Sequence, residues 1–228
     1  MSVLSNSTRN ILVKRSTVQN YTPEEIRDQA EFIQSASYVF LADSKPYSIE
    51  VGKVAHQGKG KVVYDADRYY EEGMPDMLAE CDYLISSEFV YEHLFGKSED
   101  WEENLKKMRE MCQPNAVVIV TLGEKGLVGL DENGFFKLPA YRVNVVDTTG
   151  AGDVFHGAFL AGLVKGMDVR KACQYASAAA AIKCTRIGGR AGIPTEKVCL
   201  QFIETGEIDY TEIDERVAYY QNPPMGNQ

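Results

Sequence analysis

The chain has 228 residues, of which 44% are hydrophobic and 25% charged; this composition is typical of a globular protein with its own core, so one domain over residues 1–228 is expected. The formal net charge of −9 argues against a nucleic-acid or anionic-membrane partner, because no positive field draws phosphate groups toward the chain. The longest uncharged stretch, 111–123, is too short to cross a bilayer. Five widely spaced cysteines predict buried thiols in a reducing compartment, and therefore a cytoplasmic protein.

Apolar runs and amphipathic segments alternate along the chain. In chain order, the predicted strands are 10–14, 38–42, 61–65, 83–86, 116–121, 127–130, 135–138 and 143–146. The predicted helices are 22 to about 35, 46–56, 99–111, 151–165 and 169–184. Residues 131–134 (DENG) have the composition of a hairpin turn. Strands that are apolar on both faces and alternate with helices indicate an α/β fold with a mainly parallel sheet, covered on both sides.

The segment 143–166 (VNVVDTTGAGDVFHGAFLAGLVKG) carries the clearest chemical signal. After Asp147 it passes through Gly150, Ala151 and Gly152 and enters a helix at Asp153. Small residues let the backbone approach a ligand closely, and the first amides of a helix point outward without partners, so this turn can hold an anion. Asp153 would then lie beside that anion; the alternative is that it only caps the helix.

The string DTTGAGD, followed by an aromatic residue and a helix of small residues, resembles the C-terminal signature of the ribokinase/phosphofructokinase-B family of carbohydrate kinases. Residues 118–126 (VIVTLGEKG) resemble that family's nucleotide segment, 176–186 (ASAAAAIKCTR) its alanine-rich helix and 187–195 (IGGRAGIPT) the loop after it. The resemblance covers residue 6 to about residue 202. It implies a ribokinase-like three-layer αβα sandwich with a mainly parallel central sheet.

The resemblance also implies an activity, namely ATP-dependent phosphoryl transfer to a hydroxyl of a small-molecule sugar or sugar-like substrate. Asp153 matches the family's catalytic base, which accepts the proton of the attacking hydroxyl. The amides of Gly150, Ala151 and Gly152 match the anion hole for the transferring phosphoryl group. Mg²⁺ would bridge the ATP phosphates, mostly through water.

Further positions follow from the same resemblance. Those that match nucleotide contacts are Thr121, Gly123, Gly126 and Ser177. Asp147 and Thr149 match positions that bind a monovalent cation in many members, together with carbonyls of the loop 184–189, so K⁺ is expected to bind there. The alternative is that Asp147 only ends a strand and bonds to nearby amides.

The chain departs from the family at its acidic motif. The family's Asn-x-x-Glu, which organises Mg²⁺, aligns with residues 87–90 (SEFV), so both diagnostic side chains are absent. Either Glu88 or Glu92 substitutes for them, or both acids lie on a surface helix.

Two more sets of side chains have alternative roles. Asp65 and Asp67, at a strand end, either contact phosphate-bound metal or are solvated there. His156, one helical turn after Asp153, either reaches the cleft or packs against the rest of the protein, and packing is the preferred interpretation.

The largest departure is at the N-terminus. The family's sequences open with a Gly-Gly-x-x-Asn sugar-binding motif and the strands of a β lid, and neither precedes Asn10. We therefore expect these strands and the lid to be absent, and an exposed sheet edge to favour a homo-oligomer. A different class of function stays open, a nucleotide-binding module without sugar-kinase turnover.

Overall fold

The computed structural model describes residues 2–4, 9–11, 20–66 and 72–221 of the chain. In chain order its strands are β1 (Ser2–Leu4), β2 (Arg9–Ile11), β3 (Tyr38–Leu41), β4 (Lys61–Ala66), β5 (Tyr83–Ser87), β6 (Val117–Thr121), β7 (Leu127–Asp131) and β8 (Gly134–Leu138). Its α-helices are α1 (Pro23–Arg27), α2 (Ala30–Ser35), α3 (Pro46–His56), α4 (Met74–Leu78), α5 (Glu88–Phe95), α6 (Trp101–Glu110), α7 (Ala151–Val164), α8 (Val169–Lys183), α9 (Glu196–Thr205) and α10 (Thr211–Gln221).

The strands β3 to β8 form one six-stranded sheet in which each strand pairs with the next one along the chain. The strands β3 to β6 are parallel to one another, whereas β7 is antiparallel to both of its neighbours, β6 and β8. A parallel neighbour requires a crossover, which the intervening helices supply, while the short connections 122–126 and 132–133 permit only hairpins. The predicted turn at 131–134 is confirmed, because Asp131 and Gly134 are paired across it.

Helices cover both faces of this sheet. On β4, Val62 and Tyr64 belong to the core formed with α1 to α6, whereas Val63 belongs to the core formed with α7 and α8. The helices α9 and α10 pack outside α7 and α8 through Phe202 and Ile213. Because side chains alternate along a strand, one sheet supports two cores, and the predicted three-layer αβα sandwich with a mainly parallel sheet is confirmed.

The helix predicted from Thr22 to about Ser35 is two helices, α1 and α2. Its start is as expected, because the Glu25 amide donates to the Thr22 hydroxyl at 3.2 Å and the Thr22 amide donates to the Glu25 carboxylate at 2.7 Å. The chain then leaves the helical conformation at Gln29, where φ is −101° and ψ is 16°. The resulting turn directs both Ile26 of α1 and Ile33 of α2 into the core beside α3.

The predicted strand at 143–146 is wrong. Val145 and Val146 are exposed, and the Val146 amide donates to the Cys184 carbonyl at 2.8 Å, outside any strand pairing. Valine-rich composition favours a strand only where a neighbouring strand is available. After β8 the chain instead crosses to the end of α8.

The N-terminal strand also differs from the prediction for 10–14. Arg9–Ile11 pairs antiparallel with Ser2–Leu4 in a two-stranded sheet separate from the main one, and residues 12–14 lie outside the described residues. Among the described strands, β3 and β8 are the edges of the six-stranded sheet. The helices α4, α9 and α10 were not predicted, and a helix at α5 was expected only as the alternative role of Glu88 and Glu92. No described helix has the length and apolar character needed to cross a membrane.

Candidate active site

The segment 147–153 lies at the end of the sheet where the parallel strands finish. In the second turn of α7, His156 Nε2 lies 3.2 Å from Oδ1 of Asp65, the penultimate residue of β4. The first turn of α7 therefore lies near the carboxyl ends of β4 and its neighbours. Open α/β sheets bind their ligands at this end.

Gly150 determines how α7 begins. It is the N-cap residue, and its φ of 76° is a left-handed conformation that a residue with a Cβ rarely adopts. A Cβ added at this position would lie 3.3 Å from the Cα of Gly189. Glycine thus permits both the sharp turn and the close approach of the loop that contains Gly189.

Some amides of this turn bond within the protein, and others are suited to a ligand. The Ala151 amide donates to the Thr148 carbonyl at 3.1 Å, and the Val154 amide donates to the Gly150 carbonyl at 3.0 Å. In an α-helix the amides of the first turn have no earlier helical carbonyl as partner, so those of Gly152 and Asp153 are suited to an anion. Of the amides predicted for the anion hole, that of Ala151 is already bonded within the turn.

Asp147 is buried and joins this turn to the segment after α8. Its Oδ1 accepts from the Thr149 amide at 2.8 Å, and its Oδ2 accepts from the Gly188 amide, also at 2.8 Å. Burial raises the pKa of Asp147, but these two amides, the Thr149 hydroxyl and the positive charge of Lys183 outweigh it and hold that pKa below its ordinary value. The carboxylate is therefore ionised, and it bonds to nearby amides as the alternative interpretation expects.

A cleft of about 570 Å³ opens beside Asp153. Polar side chains in its wall are Thr149, Asp153, Tyr175 and Arg190, and its apolar lining comes from α7, α8 and residues 193–194. Asp153 is exposed, so its carboxylate is accessible to a ligand. A carboxylate, a guanidinium and helix-start amides in one cleft can bind an anion and accept a proton from a neighbouring hydroxyl.

None of the four predicted nucleotide positions lines this cleft. Thr121 ends β6, where its hydroxyl donates to the Ser86 carbonyl at 3.3 Å. A Cβ on Gly123 would enter open space, whereas one on Gly126 would collide with the Leu138 carbonyl. Gly126 is thus required for packing against the end of β8, and Ser177 is half-buried on α8.

The segment that replaces the acidic motif is the junction of β5 and α5. The strand ends at Ser87 and the helix begins at Glu88, whose carboxylate forms an ion pair with Lys125 at 3.1 Å. Lys125 belongs to the turn after β6, so this pair connects two strand ends at one end of the sheet. Glu92 lies one turn further along α5.

His156 is a packed residue, as the preferred interpretation expects. It is 2% exposed, between the rings of Phe40 and Phe155, and its Nε2 contacts Asp65. Asp67 lies outside the described residues.

Sequence reasoning missed Lys183 and Arg190. Lys183 is buried at the end of α8, although a lysine in an alanine-rich helix is ordinarily expected in solvent. Its spacing from buried Ala176 and Ala179 puts it on the inward face, and this periodicity was the available signal. Arg190 offered no comparable signal, because its place in the cleft depends on how the loop after α8 folds back.

The described residues contain no group of three or more His, Cys, Asp or Glu side chains arranged to hold a metal ion. Mg²⁺ usually keeps several waters and is bound by one or two carboxylates together with substrate phosphates. Glu88, at the carboxyl end of β5, suits such a role because its carboxylate is partly exposed there.

Comparison with known proteins adds independent evidence. The model of the pfkB family carbohydrate kinases matches residues 1–196. Ribokinase of Lactococcus lactis is 30% identical over 174 residues, which cover 75% of this chain and 55% of that protein. Deoxyribokinase of Salmonella typhi is 28% identical over 212 residues, which cover 90% of this chain and 68% of that protein.

Solved structures agree with the fold. Ribokinase from Thermotoga maritima matches with a TM-score of 0.64 and 27% identity, over 83% of this chain and 59% of that one. Ribokinase of Arabidopsis thaliana, solved with ribose and ATP, matches with a TM-score of 0.70 and 25% identity, over 78% of this chain and 59% of that one. The fold is therefore ribokinase-like, and the chain spans 55% and 68% of the two curated relatives above.

Proposed function

The chain belongs to the pfkB family of carbohydrate kinases, and we propose that it transfers the γ-phosphoryl group of ATP to a hydroxyl of a sugar or sugar-like substrate. The observation that carries this proposal is the position of Asp153. Its carboxylate is exposed in the first turn of α7, in the same cleft as Arg190 and beside the Gly150 turn. The Arabidopsis relative bound to ribose and ATP supports the choice of both substrates.

Each part of this site has a role in the proposed reaction. The amides of Gly152 and Asp153 stabilise the negative charge that develops on the transferring phosphoryl group. Arg190 offsets the charge of the phosphates from the facing loop. Asp153 orients the substrate hydroxyl and accepts its proton as the hydroxyl oxygen bonds to the γ-phosphorus and the bond to the β-phosphate oxygen breaks.

The resemblance of the sequence to the family implies two bound ions, Mg²⁺ and K⁺. Mg²⁺ would neutralise phosphate charge, and Glu88 would hold it from the end of β5, directly or through water. K⁺ would bind at Asp147 and Thr149, beside the Gly150 turn.

A second candidate is a nucleotide-binding module without sugar-kinase turnover. The observation that favours it is that Arg190 and the amides at the start of α7 can bind phosphate groups whether or not a sugar is bound. Both candidates bind ATP, so binding alone does not separate them.

The test combines nucleotide binding with turnover. Mg·ATP is expected to raise the melting temperature, since a ligand that binds only the folded state stabilises it. ADP release is then measured with a panel of sugars, in wild type and in Asp153→Asn. We expect the variant to lose at least about a hundredfold in turnover, as is typical when a general base is removed.

The matched control is Asp168→Asn. Asp168 also stands at the start of a helix, where it caps α8 by accepting from the Lys171 amide at 2.9 Å, and it does not line the cleft. The asparagine that replaces Asp168 retains a capping oxygen, and the N-cap of α7 is Gly150 and not Asp153, so each variant should lose about 1 kcal/mol of stability or less. ATP binding without sugar-dependent ADP release in wild type would favour the second candidate. An Asp153→Asn variant that turns over like the control would remove Asp153 from catalysis.

A further inference from the structure

Lys183 is a buried cation behind the Gly150 turn. It is the last residue of α8 and 0% exposed, and its Nζ donates to the main-chain carbonyl of Asp147 at 2.7 Å. A buried ammonium is costly unless it is paired and hydrogen-bonded. Its position therefore requires a compensating negative charge close by.

Asp147 supplies that charge. Its carboxylate is buried and accepts from the Thr149 and Gly188 amides, and its carbonyl accepts from Lys183, so one residue connects the ammonium to two loops. Two amides of the preceding segment, those of Val146 and Asp147, also donate to the Cys184 carbonyl, directly after Lys183 in the chain. The end of α8 and the segment 146–149 are thus held together by several bonds around one pair of opposite charges.

This pair adjoins the proposed phosphate-binding turn. Thr149, which donates to Asp147, immediately precedes Gly150, and Gly188, which also donates to Asp147, immediately precedes Gly189. Gly150 and Gly189 are the residues whose close approach excludes a side chain at the start of α7. A change in the Asp147 contacts would therefore displace the amides of Gly152 and Asp153.

We infer that the Lys183 ammonium is a tethered cation that positions the Gly150–Asp153 turn in place of a free monovalent cation. K⁺ does not fit beside it, because the Asp147 carbonyl already accepts from the Lys183 ammonium, and that ammonium would repel a second cation bound at Asp147. Lys183 acts through Asp147 and is a positioning residue. The kinetic part of the inference rests on the proposed kinase function; the structural part does not.

The experiment compares the full chain in chloride salts of K⁺, Na⁺ and choline at matched ionic strength. The variants are Lys183→Ala, which leaves space for an ion, and Lys183→Met, which keeps the aliphatic chain without the charge. The control is Lys171→Met on the same helix, because the Lys171 side chain is 73% exposed and its ion pair with Asp168 spans one turn of that helix. The readouts are the melting temperature without nucleotide and, separately, sugar-dependent ADP release.

For wild type, and likewise for Lys171→Met, the melting temperature should be the same in all three salts. In choline and Na⁺ salts, Lys183→Ala should have a lower melting temperature than wild type. Adding K⁺ should raise its melting temperature by more than it raises that of Lys183→Met. Without K⁺, Lys183→Ala should lose about a hundredfold in turnover, the scale expected when catalytic groups shift by about 1 Å, and regain part of it when K⁺ is added.

Two results would overturn the inference. One is K⁺-specific stabilisation of wild type, which would show a separate cation site, and this result is decisive even if neither Lys183 variant folds. The other is a Lys183→Ala variant that equals wild type in choline chloride in both readouts. If wild type shows no turnover at all, the kinase proposal fails while the melting temperatures still decide the role of Lys183.

Discussion

His156 of α7 and Asp65 of β4 form a polar contact of 3.2 Å inside an otherwise aromatic and aliphatic part of the core. The contact connects the helix that carries Asp153 to the strand end that it faces. Because His156 is buried, its loss would leave Asp65 without one of its partners in a place that water enters poorly.

We therefore expect His156→Ala to lower the free energy of unfolding by about 1–3 kcal/mol, the cost of leaving a buried polar group without its bond. Urea unfolding measures it. His93→Ala, at an exposed position of α5, is the control and should change stability by less than about 0.5 kcal/mol. Equal values for the two variants would contradict a structural role for the His156–Asp65 contact.

Gly150→Ala, compared with a control glycine, distinguishes the effect of backbone strain on stability from the effect of this turn on ATP binding. Alanine at a φ of 76° costs about 1–2 kcal/mol. Gly206→Ala is the matched control, because Gly206 has a φ of 77° and its Cβ would meet nothing within 4 Å. Both variants should lose similar stability from the backbone, but only Gly150→Ala pushes on Gly189 and should bind ATP more weakly in a calorimetric titration. Unchanged ATP binding in Gly150→Ala would exclude this turn from the nucleotide site.

Glu88→Gln tests which acid replaces the missing motif. The substitution removes the charge that would hold Mg²⁺, so the Mg²⁺ concentration needed for half-maximal ADP release should rise several-fold. Glu102→Gln is the control, because Glu102 forms a comparable ion pair, with Lys106 at 2.8 Å, on α6. If Glu92→Gln raises the Mg²⁺ requirement and Glu88→Gln does not, the assignment moves to Glu92.

The contacts of Asp82 make the free energy of unfolding depend on pH. Its carboxylate accepts from Lys61 at 2.6 Å and from the Val62 amide at 2.9 Å, and its Oδ2 also lies 2.9 Å from His56 Nε2. Burial raises the pKa of Asp82, but hydrogen bonds from Lys61, His56 and Val62 outweigh it and lower the pKa below the ordinary 3.8. The folded state therefore binds this proton less readily than the unfolded state, and the stabilisation is present above pH 3.8 and lost as the pH falls further.

Asp82→Asn should accordingly cost about 1.5–3 kcal/mol at neutral pH, the range for hydrogen bonds to a charged group. The difference from wild type should shrink as the pH falls below the ordinary Asp value of 3.8. Urea unfolding at a series of pH values measures it. A difference that is constant down to the acid limit would show that the charge of Asp82 contributes nothing.

Local sequence patterns determined the layers of this protein and the location of its candidate site. The apolar runs of β4, β5 and β6 and the helices between them were predictable because side-chain periodicity reflects which faces are buried. The turn at Gly150 was predictable because its glycines and the following helix are contiguous in the chain. The roles assigned to Asp153 and the nucleotide positions remain predictions.

Only the tertiary structure decided which distant residues meet. Residues 143–146 have the composition of a strand, but they run past the end of α8, where none of the described strands pairs with them. Helical periodicity puts Lys183 on the inward face of α8, but its partner Asp147 lies 36 positions earlier in the chain, and nothing local to either residue indicates that they meet. Such contacts depend on how whole helices pack against the sheet, and packing is a property of the assembled layers that no local pattern encodes.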